Sequence, residues 1–478
     1  MRTPALLARA LPAPLTALAL WVGGTLPVAA AADEPLVERL KQLAERVDAL
    51  EKRNAELEKA LQTDHLSDKE PELATRLKAT ESDVQAIKPQ ARRIEALEGI
   101  SVGASVTAAV QHAGARATAS GSGETRSNYR GDVTLTLPGG SLGAAEGKFF
   151  THLRFGQGTG IGLRPTYTST PNSFAFETAA GPDDSFAILA QAWYQLTVPL
   201  PLDGVKAQSK QRLEINVGKI DPFVFFDGNA AADDESVRFM NNAFVHNPLL
   251  DSGGNTGADA YGFQPGARVA YIDDAAGWGA SLGVFGSGAG ANFSGSASRP
   301  FVIGQLETTV KPVLGRPGTY RLYAWTNGRS VDFDGTEARH SGWGLSFDQR
   351  AADDVMLFGR YGDQRKGRVR FDRALTLGAE ITGNPWRRGA DALGIAVGAL
   401  HTSSAFGAGS ATVDADGDGA PDFGYAASGS ERIAELYYRF RINSALELTP
   451  DLQWIQRPGG ERGAPSIKVV GLRAKFGF

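Results

Sequence analysis

Hydrophobic positions follow two different rhythms along the chain. From Leu36 to Leu61 they fall at 36, 40, 43, 47, 50, 54, 57 and 61, alternating steps of four and three. With Leu36, Leu43, Leu50 and Leu57 at d and Leu40, Val47, Asn54 and Leu61 at a, this is the 3.5-residue repeat of a coiled coil. Arg46 and Arg53 then occupy g and Glu51 and Glu58 the following e, so parallel chains in register pair opposite charges across the seam. Pro71 interrupts the pattern, and Leu73, Leu77, Val84, Ile87, Ile94 and Leu97 resume it less strictly. Residues 33–66 are therefore read as a coiled coil and 67–99 as a second helical segment or linker.

After Gly99 the period drops to two. Short alternating runs begin near Ile100, Tyr129, Glu146, Phe186, Gln211, Gly262, Gly277, Phe301, Gly318, Ser341, Asp353, Phe371, Asp391, Glu431, Ser444 and Ser466, with turn residues between them. Links after even-numbered runs are mostly short ("DDAAGWG", "LGRPG", "RAADD", "RINSA"), and those after odd-numbered runs mostly longer, the largest being 221–261. Short turns at one end, long loops at the other and an even count predict an all-β fold over 100–478. The expected fold is a 16-stranded antiparallel transmembrane β-barrel, preceded by the α-helical coiled coil.

The last run shows the two faces. Val470, Leu472, Ala474, Phe476 and Phe478 lie on one, and Gly471, Arg473, Lys475 and Gly477 on the other. In a barrel the apolar face meets lipid and the charged face meets the lumen. By the same parity Leu436, Phe440, Leu448, Leu452 and Trp454 point outward, while Glu435, Arg439, Thr449, Asp451 and Gln453 point inward. Pro450 shares the lipid parity and, lacking an N–H, predicts a bulge or local irregularity.

Composition and the N-terminus narrow the setting. Arg2 and Arg9, an apolar run from Leu11 to Val22 and Ala30-Ala31-Ala32 read as a signal peptide over 1–32. Its removal leaves 47 basic against 53 acidic residues, which is no nucleic-acid footprint. Cysteine is absent, so disulfides are excluded. Both Gly-Lys dipeptides lack a following Ser or Thr, and the six histidines show no zinc-protease spacing, so no enzymatic motif emerges.

Four segments resemble one family in order: "GKIDPFVFFDGNAAADDESVRFMNNAF" (218–244), "GWGLSFDQRAADDVMLFGRYG" (342–362), "LTLGAEITGNPWRRGADALGIAVG" (375–398) and "ELYYRFRINSALELTPDLQWIQRPGG" (435–460). They are similar to carbohydrate-selective porins of the bacterial outer membrane. The resemblance implies a sixteen-stranded barrel passing sugars by diffusion. The coiled coil lies outside that pattern and would stand in the periplasm, joining chains or reaching the cell wall. Leu at d with Val and Asn at a leans to two chains, and three are expected if the barrel overrides that preference. Outer-membrane lipid is the expected surrounding. A general or anion porin, and a tether whose barrel only anchors the stalk, are the alternatives.

A sugar pore needs hydroxyl partners and aromatic faces that release as readily as they bind. The longest loop supplies Phe225 and Phe226 beside Asp227, Asn229, Asp233, Asp234, Glu235, Arg238, Asn241 and Asn242, and is expected to fold inward as the constriction. "ESVRFMNNAF" is expected to form a short helix with Glu235, Arg238 and Asn242 on one face. Arg154, Trp193, Arg360, Glu435 and Arg439 are wall candidates by parity, with Trp193 as the stacking ring. Asp414, Asp416, Asp418 and Asp422 match the opening spacing of a calcium loop, although Tyr425 stands where its final Glu belongs. No other cofactor is expected, and calcium would sit in an extracellular loop.

Overall fold

A computed structural model describes residues 99–167, 186–201, 209–251, 262–287 and 298–477, together with nine residues between 45 and 56. Those nine, Glu45, Arg46, Asp48, Ala49, Glu51, Lys52, Arg53, Ala55 and Glu56, are helical and exposed. The a and d positions of the heptads, residues 1–32, the segment 67–98 and Phe478 lie outside the described residues. The chain divides into two compact units, Met1–Glu98 and Gly99–Phe478.

The second unit is a closed antiparallel barrel. Its strands are β1 (Ser101–Ala113), β2 (Glu124–Leu142), β3 (Ala145–Gln157), β4 (Phe186–Leu200), β5 (Gln211–Ile220), β6 (Gln264–Asp273), β7 (Trp278–Phe285) and β8 (Phe301–Val313). They continue as β9 (Arg316–Val331), β10 (Glu337–Ala352), β11 (Val355–Lys366), β12 (Phe371–Thr382), β13 (Ala392–Thr402), β14 (Ser430–Arg441), β15 (Leu446–Gln456) and β16 (Ile467–Gly477). Each pairs with its sequence neighbour, and β1 closes on β16 from Ser105 opposite Gly477 to Ala113 opposite Val469. A barrel leaves no open sheet edge, so the strands satisfy their ladder groups on one another around the whole circumference.

Pleat alternation sets the wall. On β16 Val470 and Phe476 are exposed outward, whereas Arg473 is buried inside; on β14 Leu436 and Phe440 are outward, with Glu435 and Tyr437 buried. The largest shifts in strand onset are β2, which starts at Glu124 and not Tyr129, and β10, which starts at Glu337 and not Ser341. Glu124 and Thr125 pair with Ala113 and His112 of β1 beyond the lipid-facing band. At that level nothing requires the outer residues to be apolar, so alternation does not mark the ladder.

Pro450 brings the expected local irregularity and no bulge. It sits opposite Leu472 of β16 with no register shift, and β14 keeps one register on both sides, from Tyr437/Asp451 to Phe440/Leu448. The β14–β15 ladder is interrupted at Tyr438/Pro450 and Arg439/Thr449, where the proline offers no N–H, and resumes in the same register.

The barrel interior is filled by the chain between β5 and β6. Phe226, Phe239, Met240, Ala243, Phe244, Leu249 and Leu250 of that segment are all buried. Among its described residues lie a single 3-10 turn (Pro222–Val224) and a short α-helix, α1 (Asn242–Val245); another, α2 (Ser404–Gly409), lies between β13 and β14.

Candidate functional site: the inward-folded loop and the charged lumen

The loop opens with Asp221, whose carboxylate caps the amide of Phe223 at 3.0 Å. From there the wall captures it strand by strand. Gln305 of β8 accepts the amide of Asp227 at 2.9 Å. Asp227 accepts from Tyr323 Oη of β9 (2.7 Å) and from the amide of Asn247 (2.6 Å), and pairs with Arg360 Nε of β11 at 3.0 Å. Arg360 itself is fully enclosed and donates to the carbonyls of Phe244 (2.7 Å), Ala232 (2.7 Å) and Asp227 (3.1 Å). Asn229 donates to the Phe347 carbonyl of β10 at 2.9 Å.

The far side of the wall holds the tip. Glu435 of β14 accepts the amides of Met240 (2.5 Å) and Asn241 (3.0 Å), while Asn241 donates to Gln453 of β15 at 3.0 Å. Arg473 of β16 donates to the carbonyls of Glu235, Val237 and Arg238 at 2.6–2.7 Å. Arg130 of β2 reaches Glu235 at 2.6 Å, and Asp132 gathers Arg130, His152 and Arg154 behind it. Phe239 packs against Phe358 and Tyr437.

These contacts explain why the expected helix over 235–244 does not form. A single turn closes from Asp234 to Arg238, and the next helical residues are those of α1. Arg473 takes the carbonyls and Glu435 the amides that helical bonds would have used. Charged wall groups bond more strongly than neutral amides, so the tip follows the wall.

The predicted site residues divide into two sets. Phe226, Asp227, Asn229, Asn241, Arg360 and Glu435 are buried and serve as attachment points. Asp233, Asp234, Glu235, Arg238, Arg154 and Arg439 keep side-chain surface open, from 16% for Arg439 to 41% for Asp234. They form a border of alternating sign: Arg238 lies 2.9 Å from Asp233 and 3.6 Å from Glu380, Glu380 lies 3.8 Å from Arg439, and Lys475 lies 3.9 Å from Asp234. Phe225 and Asn242 are half-buried. Trp193 is on the lumen side, 7% exposed, stacked on Phe150 at 4.8 Å and edge-on to Phe225 at 5.6 Å. Phe225 in turn lies under the Arg268 guanidinium at 4.5 Å. Burial holds the His246 imidazole well below its usual pKa, with Arg360 acting in the same direction.

Sequence reasoning placed Arg473, Lys475 and Gln453 inward but named none as a loop partner, and it missed Tyr323 and Gln305. Their inward parity was the available signal; their partners are more than seventy residues away in sequence. It also missed a strap across the long-loop end. The chain after β3 runs to Tyr167, whose amide donates to Glu431 at 2.9 Å and whose hydroxyl bonds Thr402 at 2.6 Å, beside Phe371 and Phe406. In the 414–422 loop, carboxylate oxygens of Asp414, Asp416 and Asp422 lie within 4.8 Å of one another, and all four aspartates accept backbone amides. Asp418 is outside that trio.

A sixteen-stranded barrel with an apolar exterior, a charged lumen and one long loop tied across its interior defines a channel of the porin class. Residues 142–478 match the family described as "Carbohydrate-selective porin, OprB family", and the chain belongs to that family. It is an outer-membrane sugar porin. The solved OprB of Pseudomonas putida at high pH shares the fold at 20% identity, covering 81% of this chain and 96% of that one with a TM-score of 0.63. The low-pH form of that protein superposes with a TM-score of 0.47 at 16% identity, covering 81% of this chain and 95% of that one. The outer membrane channel DcaP of Acinetobacter baumannii gives 0.48 at 10% identity, covering 79% and 97%. No curated protein matches the sequence.

Proposed function

We propose that selectivity resides at the loop tip, where Asp233, Asp234, Glu235 and Arg238, with the wall groups Arg154, Glu380, Arg439 and Lys475 beside them, border the open lumen. One observation carries this reading. The loop spends its backbone groups and its buried side chains on attachment, while its charged tip residues keep open surface. Carboxylates accept from sugar hydroxyls and guanidinium or ammonium groups donate to them. Alternating signs let a neutral, hydroxyl-rich solute exchange one partner for the next without net charge attraction, so entry and exit stay balanced. Trp193 and Phe150 act by seating Phe225, and through it the start of the loop.

The N-terminal segment 33–66 would associate chains in the periplasm through its heptads, a reading supported by the repeat and by the helical residues between 45 and 56. Light scattering of the full chain and of a chain lacking residues 33–98 tests it; the same number of protomers in both would sink it.

Pore selectivity is tested by conductance of purified protein in a planar bilayer, with glucose and then glucose oligomers added to both chambers. A saturable fall in current supports a sugar site at the tip. Current indifferent to sugar, with a reversal potential favouring anions, would replace this reading with an anion porin.

A further inference from the structure

The outer surface holds a feature that pore function leaves unused. From β12 round to β1 the lipid-facing row ends in a basic residue at the long-loop rim on five of the six strands: Arg373 on β12, His401 on β13, Arg432 on β14, Lys468 on β16 and His112 on β1, with Arg365 of β11 and Arg339 of β10 as further exposed basic residues at the same rim. Each lies within two residues of its strand's end, and each shares outward parity with apolar residues below it. Leu375 and Leu377 follow Arg373, Val397 and Ile395 precede His401, Leu436 follows Arg432 and Val470 follows Lys468, all exposed. On the intervening β15, Trp454 is exposed directly opposite Lys468, and Gln456 lies opposite Arg432.

The register places these groups at one height. Arg373 faces His401 across the ladder. His401 pairs with Ser430, so Arg432 lies two residues along β14 from that level; His112 pairs with Val470, two residues along β16 from Lys468. Both displacements run away from the long loops as strand number rises, the sense in which tilted strands keep a constant level around a barrel. The belt spans five strand spacings, about 24 Å.

Its charge is only partly balanced within the protein. Asp372 lies 2.8 Å from His401 and 3.6 Å from Arg373. Among the described residues Arg432 and Lys468 have no carboxylate partner, and both are exposed. On the opposite wall the corresponding outward positions include Phe155, Leu189, Val217 and Val284, with Lys219 as the basic residue among them.

We propose that this belt docks phosphate-bearing glycolipid headgroups of the outer leaflet, with the acyl chains lying along the apolar rows below. A cation at the upper edge of a lipid-facing stripe leaves bulk water for the interface, where an anionic headgroup is the complementary partner. Arg offers a phosphate two parallel hydrogen bonds, and Lys offers it a point charge. A soluble anion would account for the charges and not for their shared height above lipid-facing apolar residues.

The test uses full-length protein in detergent, offered bis-phosphorylated lipid A or its dephosphorylated form, with bound lipid counted by native mass spectrometry. Wild type is expected to retain the phosphorylated lipid in preference, with millimolar inorganic phosphate failing to displace it. Combining Arg432→Gln with Lys468→Gln should weaken retention by tenfold or more, at roughly 1 kcal/mol per basic residue near an anionic surface. Lys219→Gln on the opposite wall should leave it unchanged. Sugar-dependent conductance equal to wild type shows that the variants are folded, and the two single substitutions stand in if the double variant is not. Equal retention of the dephosphorylated lipid, an unaffected double variant, or displacement by inorganic phosphate would each overturn the proposal. Substitutions that change the oligomeric mass and leave lipid retention intact would reassign the belt to contact between copies of the chain.

Discussion

Arg360→Ala is the sharpest probe of the inward loop. Arg360 is fully enclosed, pairs with the equally enclosed Asp227 at 3.0 Å, and donates to three loop carbonyls at 2.7–3.1 Å. Its removal leaves a buried carboxylate with Tyr323 and the Asn247 amide as partners and strips those carbonyls of their charged donor. Breaking one side of a buried pair costs about 3–5 kcal/mol. That is roughly two to three and a half orders of magnitude in the balance between docked and undocked loop. The barrel ladder does not involve this side chain, so the variant should keep its strand signal and heat-modifiable mobility. In a planar bilayer its single-channel conductance should rise and flicker, and the sugar concentration giving half-block should rise by tenfold or more. Arg360→Lys, which keeps the charge and loses the fork, should fall between. Combining Asp227→Asn with Arg360→Met should recover part of the loss, because no uncompensated charge then stays buried. A folded Arg360→Ala protein with wild-type conductance and wild-type sugar block would refute the argument that this loop, held from this side, sets the constriction.

Three further outcomes follow from the same geometry. Arg473→Gln removes the donor to the carbonyls of Glu235, Val237 and Arg238 and should weaken sugar block with a smaller rise in conductance than Arg360→Ala, measured by the same titration. Arg238→Gln deletes a cation between Asp233 and Glu380 and should shift the reversal potential in a potassium chloride gradient toward cation selectivity; an unchanged potential would put Arg238 outside the conduction path. His246, stacked on Phe223 at 3.9 Å, has its pKa depressed by burial, so its contribution to loop docking is present above about pH 6.5 and lost as pH falls below that value. Asp221 and Asp251, pushed up by burial to about 6 and about 7, act in the opposite sense but are common to wild type and His246→Phe. Gating at pH 5 relative to pH 7 should therefore increase more in wild type than in His246→Phe; equal changes would exclude His246.

What the sequence determined by itself is the wall. A period of two leaves each residue one choice of face, and water inside with lipid outside makes the choice readable at every pair of positions. The onset of β4, β5, β8 and β12 at Phe186, Gln211, Phe301 and Phe371 and the inward aim of Glu435 and Arg473 were therefore legible without coordinates. The lumen was legible only as composition. Which tip residues keep open surface, and which are consumed as anchors, depends on contacts such as Arg130 with Glu235 and Arg473 with the same residue's carbonyl, spanning 105 and 238 positions. The helix expected over 235–244 shows the physical reason. Local spacing favours it by tenths of a kcal/mol per pair, whereas the wall offers charge-assisted bonds of about 1.5–3 kcal/mol to the same backbone groups. Local preference settles the strands because the barrel agrees with it; across the lumen the tertiary structure decides, because distant charged side chains outbid the local pattern for the backbone.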